Sequence, residues 1–183
     1  YITENLASIA RNNVLINSHM LEASMKNKIE RYFYSSSACI YPTNLQVDAS
    51  LKPLKESDAY PAFPEEGYGW EKLYAEKLCE YYYKDYALET RIARFHNVYG
   101  PLGTFQGGKE KAPAALSRKI SLAANGDHIE IWGDGLQTRS FMYIEDCLQG
   151  IYRIAKSNVR VPLNLGTDQL VSINHLVETL TEI

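Results

Sequence analysis

Thr90-Arg91-Ile92-Ala93-Arg94-Phe95, running on into His96-Asn97-Val98-Tyr99-Gly100-Pro101, is the stretch that decides the fold. Its first six residues read as a strand, and the Gly-Pro end as a turn at the strand's carboxyl end. Upstream, Arg31-Tyr32-Phe33-Tyr34 is a short aromatic strand ending in Ser35-Ser36-Ser37-Ala38-Cys39. Between the two lies a helical run from Tyr68 to about Lys84, with Leu73, Leu78 and Tyr82 as core contacts. Ahead of both, Leu6, Ile9, Ala10, Ile16, Met20 and Leu21 recur near helical spacing; Thr3 is a candidate cap and the run ends around Lys28. Helix, strand, loop, helix, strand in this order predicts βα units and a parallel sheet. Ligands of such sheets bind at the carboxyl ends of strands, where the Ser37 loop and the Asn97 turn both fall.

The rest of the chain fills in around that frame. Pro42 to Pro64, rich in Pro, Ser, Asp and Lys, reads as a long loop. Gly103 to Lys111 is a glycine-rich, basic loop, and Ala114 to Ala124 reads as a helix. Ile129 to Trp132 reads as a strand, Gly133-Asp134-Gly135 as a turn, and Thr138-Arg139-Ser140-Phe141 as the beginning of another strand. A helix from Glu145 to Lys156, a short strand from Pro162 to Leu165 and a final helix capped by Ser172 complete the pattern.

At 183 residues and 45% hydrophobic content the chain has material for a real core. A net charge of -3 with no long charged block gives no support for nucleic acid or membrane as the main partner. Cys39, Cys79 and Cys147 are odd in number and widely spaced, neither a disulfide framework nor a metal pattern. A reducing, cytoplasmic setting is therefore expected, with no metal site. Cys79 and Cys147 read as core, and Tyr81 to Tyr83 as helix packing.

Tyr68-Gly69-Trp70-Glu71-Lys72 carries the chemistry. A tyrosine and a lysine four residues apart share one helix face. The ammonium is expected to favour the phenolate and lower the tyrosine pKa, which suits proton transfer. The same spacing recurs at Tyr152 and Lys156, so the pattern alone does not choose between them. The company of the Ser37 loop favours Tyr68.

Taken together, these residues resemble the extended short-chain dehydrogenase/reductases that modify nucleotide sugars. Ser37 after a central strand, the Tyr68 and Lys72 pair, the Arg94 to Pro101 turn, and Gly133-Asp134-Gly135 followed by Arg139 carry the likeness. Ser37-Ala38-Cys39, Gly107-Gly108-Lys109-Glu110-Lys111-Ala112-Pro113 and the run from Trp132 to Phe141 point to a branch that epimerises GDP-mannose at C3 and C5. The resemblance implies an α/β fold: a Rossmann-type parallel sheet with a smaller C-terminal substrate-binding part. Residues 1–101 would be the C-terminal part of an NAD-binding domain. Residues 102–183 would be mainly substrate-binding, with elements returning to that domain. It further implies a fragment lacking the N-terminal βαβ units, with the family's glycine-rich cofactor turn upstream of Tyr1.

The same resemblance implies roles. Tyr68, Lys72 and Ser37 would form the redox site, with Tyr68 and Lys72 touching NAD. Cys39 and Lys111 would be the acid/base pair. Ser37, Ala38, Cys39, Asn97, Glu110, Lys111, Ala112, Lys119, Gln137, Thr138 and Arg139 would contact GDP-mannose. A homodimer is implied as well. Lys119 also reads as a solvated helix charge, and Arg139 as a strand-edge charge. Two other activities stay open: a nucleotide-sugar 4-epimerase or 4,6-dehydratase, which would not need Cys39 with Lys111, and a non-catalytic NAD-sensing protein on the same fold.

Overall fold

In the computed structural model, which describes residues 5–45 and 53–183, the stretch Thr90–Phe95 forms strand β2, buried on both faces. It lies between β1 (Tyr32–Ser37) and β6 (Leu163–Leu165), and both pairings are parallel. Ser37 stands beside Phe95, so the two strands end together at their carboxyl ends. Helices α1 (Leu6–Lys26) and α2 (Tyr68–Tyr86) pack on each other, and α2 lies on β1 and β2. Leu21, Tyr34, Ala75, Cys79, Leu88 and Ile92 form one core cluster. Ile40, Tyr41, Ala59 and Leu73 form a second, beneath the residues after β1. These elements, with residues 148–165, make one compact unit; residues 96–147 and 166–183 make the other.

Several expectations are corrected. Thr3 lies outside the described residues, as do residues 46–52 of the long loop. The described parts of that loop carry short 3-10 turns at Thr43–Leu45 and Glu56–Ala59. On α1 the periodic Ile16 and Met20 are 57% and 51% exposed, and Leu21 is buried. Helix α2 runs two residues beyond Lys84, to Tyr86, where Ala87 in the left-handed conformation stops it. Leu73 is buried in the second cluster, whereas Leu78 and Tyr82 are partly buried against the first.

In the second unit, the turn after β2 contains strand β3 (Asn97–Tyr99). It pairs in parallel with β5 (Phe141–Tyr143). Strand β4 (Thr138–Arg139) pairs antiparallel with β7 (Val171–Ser172), so the single strand expected from Thr138 to Phe141 is two, broken at Ser140. Helix α3 is Ala112–Leu122, with Pro113 in its first turn. Helix α4 (Ile144–Lys156) follows β5, its residues from 148 on belonging to the first unit, and Ser172 caps α5 (Ile173–Thr181) by accepting from the His175 amide. Ile129 to Trp132 is not a strand. Its carbonyls serve side chains instead: Glu130 accepts from Lys119 at 2.6 Å and Trp132 from Gln137 at 2.8 Å. Gly133 and Gly135 both have φ of 74°. At Gly135 a side chain would also strike Asn174, whose amide donates to the Gly135 carbonyl at 3.0 Å.

Candidate functional site

The carboxyl end of β1 delivers Ser37 in an extended conformation, φ -144° and ψ 153°, directly into a 3-10 turn, Ala38–Ile40. Ser37 caps that turn: its hydroxyl accepts from the Cys39 amide at 3.2 Å. The Tyr41 amide closes it by donating to the Ala38 carbonyl at 3.1 Å. Ala38 and Cys39 are half-buried on this turn. The start of α2 comes against it. A side chain at Gly69 would overlap the Cys39 carbonyl, so the helix backbone approaches the turn as only glycine allows. The Glu65 amide donates to the same carbonyl at 3.1 Å.

Helix α2 then presents Tyr68 and Lys72 on one face. The Ser37 hydroxyl is near enough to the Tyr68 phenol to pull its pKa down. The Lys72 ammonium lies 5.4 Å from the Tyr68 ring centre and 5.2 Å from that of Tyr34. It donates to the Ser35 carbonyl at 3.0 Å. Ser37, Ala38, Cys39, Tyr68 and Lys72 are thus brought together within the first unit.

The electrostatics correct one expectation. Burial, with Cys39 and Glu71 adding to it, pushes the Tyr68 phenol up; the Ser37 hydroxyl pulls the other way and is outweighed. Burial pushes the Lys72 ammonium down, opposed by Glu71. Tyr68 therefore holds its proton at neutral pH. Glu71 is itself buried between α1 and α2, accepting from Asn13 at 2.8 Å and Asn17 at 3.3 Å, and burial raises its pKa. Tyr152, by contrast, is 63% exposed on α4.

The remaining candidates belong to the second unit. Lys111 is exposed and precedes α3, whose first residue is Ala112; its carbonyl accepts from the Ala115 amide at 2.9 Å. The Glu110 carboxylate is paired with Arg118 at 3.4 Å. Its own backbone amide, first, holds its pKa below the ordinary value. The Asn97 side chain donates to the Ser140 carbonyl at 3.3 Å. Lys119 and Gln137 hold the segment around Trp132, as described above. The Thr138 hydroxyl is buried with no hydrogen-bond partner, and Arg139 is exposed, donating to the Thr138 carbonyl at 2.7 Å. Among the described residues no group of His, Cys, Asp and Glu is arranged to hold a metal, and no helix is long and apolar enough to cross a membrane. A cavity of about 630 Å³ between α2, β2 and residues 160–163 contains none of the candidate residues.

Two contacts beside these residues escaped the sequence: the approach of Gly69 to the Cys39 carbonyl, and the buried pairing of Glu76 with Arg94. The pair had a signal. A charged residue alternating with Thr90 and Ile92 on a strand buried on both faces demands a partner.

A family model described as the NAD dependent epimerase/dehydratase family matches residues 3–166. The chain is 51% identical over 178 residues to a GDP-mannose 3,5-epimerase of Arabidopsis thaliana, covering 97% of this chain and 47% of the relative. A GDP-L-fucose synthase of Sinorhizobium fredii is 29% identical, over 93% of this chain and 55% of the relative. The chain thus spans about half the length of the curated relatives it matches. Among solved structures, the UDP-N-acetylglucosamine 4-epimerase of Methanobrevibacter ruminantium M1 superposes with a TM-score of 0.85 at 25% identity. That match covers 100% of this chain and 56% of the other. The UDP-glucose 4-epimerase of Thermotoga maritima, at 23% identity and a TM-score of 0.83 over 99% of this chain and 57% of the other, shares the fold.

Proposed function

The chain belongs to the NAD dependent epimerase/dehydratase family, and from that membership we propose that it supplies the reacting groups for epimerising GDP-mannose at C3 and C5. The observation that carries the reading is the gathering of Ser37, Cys39, Tyr68 and Lys72 at the carboxyl end of β1. The 51% identity to a GDP-mannose 3,5-epimerase supports the choice of substrate.

The chemistry explains the residue set. A sugar C–H proton is too weakly acidic for any side chain to remove. A ketone at C4 makes the hydrogens at C3 and C5 acidic. NAD, when bound, supplies the hydride acceptor and donor for that transient oxidation. The donor set fits it: a phenol, an ammonium and a hydroxyl lie side by side at a strand end, suited to a ribose and a reacting alcohol. Ser37 hydrogen-bonds the reacting C4 oxygen. Because burial favours the protonated phenol, Tyr68 must first give up its proton; as phenolate it takes the C4 hydroxyl proton, and in the protonated form that results it returns that proton when the alcohol is re-formed. Lys72 binds the ribose and offsets the charge when Tyr68 acts as base. Cys39 takes a proton from one face of the sugar and Lys111 returns one to the other. Arg139 pairs with the diphosphate through its planar fork. Asn97, Glu110, Ala112, Lys119, Gln137 and Thr138 complete the sugar-nucleotide contacts, and a homodimer belongs to the same proposal.

The test is to incubate GDP-mannose and NAD with the full-length protein and identify the product sugars by NMR. GDP-L-galactose and GDP-L-gulose are the expected products. Unchanged GDP-mannose, or a C4 epimer, would overturn the reading.

A further inference from the structure

A buried polar network ties together the three elements that carry Ser37, Cys39 and the Tyr68 and Lys72 pair. Its centre is Arg94 on β2, 3% exposed. The guanidinium donates to both oxygens of Glu76, at 3.0 and 2.8 Å. It also donates to the Tyr41 hydroxyl at 3.0 Å and the Glu56 carbonyl at 2.9 Å. The Ser36 hydroxyl donates to Glu76. The Tyr41 hydroxyl donates to Asn164 at 2.6 Å, and Asn164 donates to the Leu54 carbonyl at 2.8 Å.

Each partner sits next to a reacting group. Glu76 is one turn beyond Lys72 on α2. Ser36 precedes Ser37 on β1. Tyr41 closes the turn that holds Cys39. Stability does not account for such a network, because a buried ion pair is often no better than well-packed apolar residues of the same volume. Directed, charge-assisted bonds do fix geometry, and a planar guanidinium that bonds a helix, a turn and a loop at once sets their relative positions.

We infer that Arg94, Glu76 and Tyr41 are positioning residues, and that the Tyr41 hydroxyl fixes the aim of the Cys39 thiol toward the reacting face. The inference rests on the function proposed above for the importance of Cys39, but its test does not need the sugar. Tyr41→Phe keeps the ring and removes the hydroxyl that joins Arg94 to Asn164. In the full-length protein, alkylation of Cys39 by iodoacetamide is followed across pH by the mass of its peptide. The turn is released in this variant, so Cys39 reacts faster than in the wild type throughout the profile. With GDP-mannose in heavy water, deuterium uptake at C3 and C5 falls by about tenfold to a hundredfold, the usual cost of a small misplacement. The KM for GDP-mannose stays near the wild-type value.

Leu88→Ala is the control. It weakens the separate apolar cluster around Leu21 and Cys79 and leaves the Cys39 profile in place. If Tyr41→Phe does not fold, Ser36→Ala breaks the same network at a smaller side chain and gives the same faster alkylation. A Cys39 profile that overlays the wild type in the folded variant, or one that Leu88→Ala moves equally, overturns the inference. A wild-type protein that leaves GDP-mannose untouched would sink the proposed function instead, and the alkylation comparison would still decide this one.

Discussion

The backbone of Gly69 lies against the carbonyl of Cys39, so close that a side chain at Gly69 would overlap it and would also stand 2.9 Å from Pro64 Cβ. The contact joins the first turn of α2 to the turn after β1, and so fixes where Tyr68 and Lys72 stand relative to Ser37 and Cys39.

Gly69→Ala is therefore expected to move the helix off the turn. Overpacking of this kind costs about 1–3 kcal/mol of stability, and the activity loss should exceed what that destabilisation explains. Urea denaturation alongside kcat and KM for GDP-mannose checks this. A variant with wild-type kcat would mean that the contact does not set the site.

Tyr68→Phe keeps the packing and removes the exchangeable proton. A loss of about a hundredfold or more in turnover is expected, the usual share of a positioned acid or base, with GDP-mannose binding retained. Tyr152→Phe should be nearly silent, because Tyr152 is largely exposed on α4. Steady-state kinetics and calorimetry on both variants make the comparison. Equal behaviour would show that the wrong one of the two tyrosine and lysine pairs has been given the chemistry.

Glu89, just ahead of β2, pairs with Arg91 and Arg160. Arg160 first, at 2.8 Å, and Arg91, at 2.9 Å, hold its carboxyl at about 2 against an ordinary 4.5. A carboxylate depressed in the folded state stabilises above its unfolded pKa, and loses that contribution as pH falls through the folded value. Stability should therefore fall between pH 4.5 and about 2, and Glu89→Gln should flatten that part of the acid limb. The group is partly exposed, so added salt should shrink the difference. Urea melts across that window at two ionic strengths decide it. Identical acid limbs would leave the pair without an energetic role.

Local pattern made some of this molecule legible. Strand β2 was readable because Thr90, Ile92 and Phe95 are strand-type residues running into the Gly100-Pro101 turn, and Tyr68 and Lys72 because their spacing matches one helix face. The break at Ser140 was not, since it follows from two different partner strands, Val171–Ser172 and Asn97–Tyr99, far off in sequence. Ile129 to Trp132 has strand-like residues, yet among the described residues no strand pairs with it, and Trp132 is 85% exposed. The rise in the Tyr68 pKa was hidden for a related reason: spacing reveals the neighbouring lysine, whereas the degree of burial appears only in three dimensions. Glu76 reads as an ordinary surface charge on a helix until Arg94 is placed beneath it.

The central claim is that Cys39 and Lys111 exchange protons at the sugar after Tyr68, Lys72 and Ser37 have opened C4. Turnover of GDP-mannose by the full-length protein in heavy water, read by NMR, tests it most directly. Protons passed through side chains exchange with solvent, so deuterium should enter C3 and C5. The C4 hydrogen travels as hydride and never meets water, so C4 should stay protium. Cys39→Ala and Lys111→Met should each abolish most of the uptake, while the 4-keto sugar can still be trapped with borohydride. Deuterium uptake at the wild-type rate in Cys39→Ala, or none at C3 and C5 in the wild type, would contradict the account.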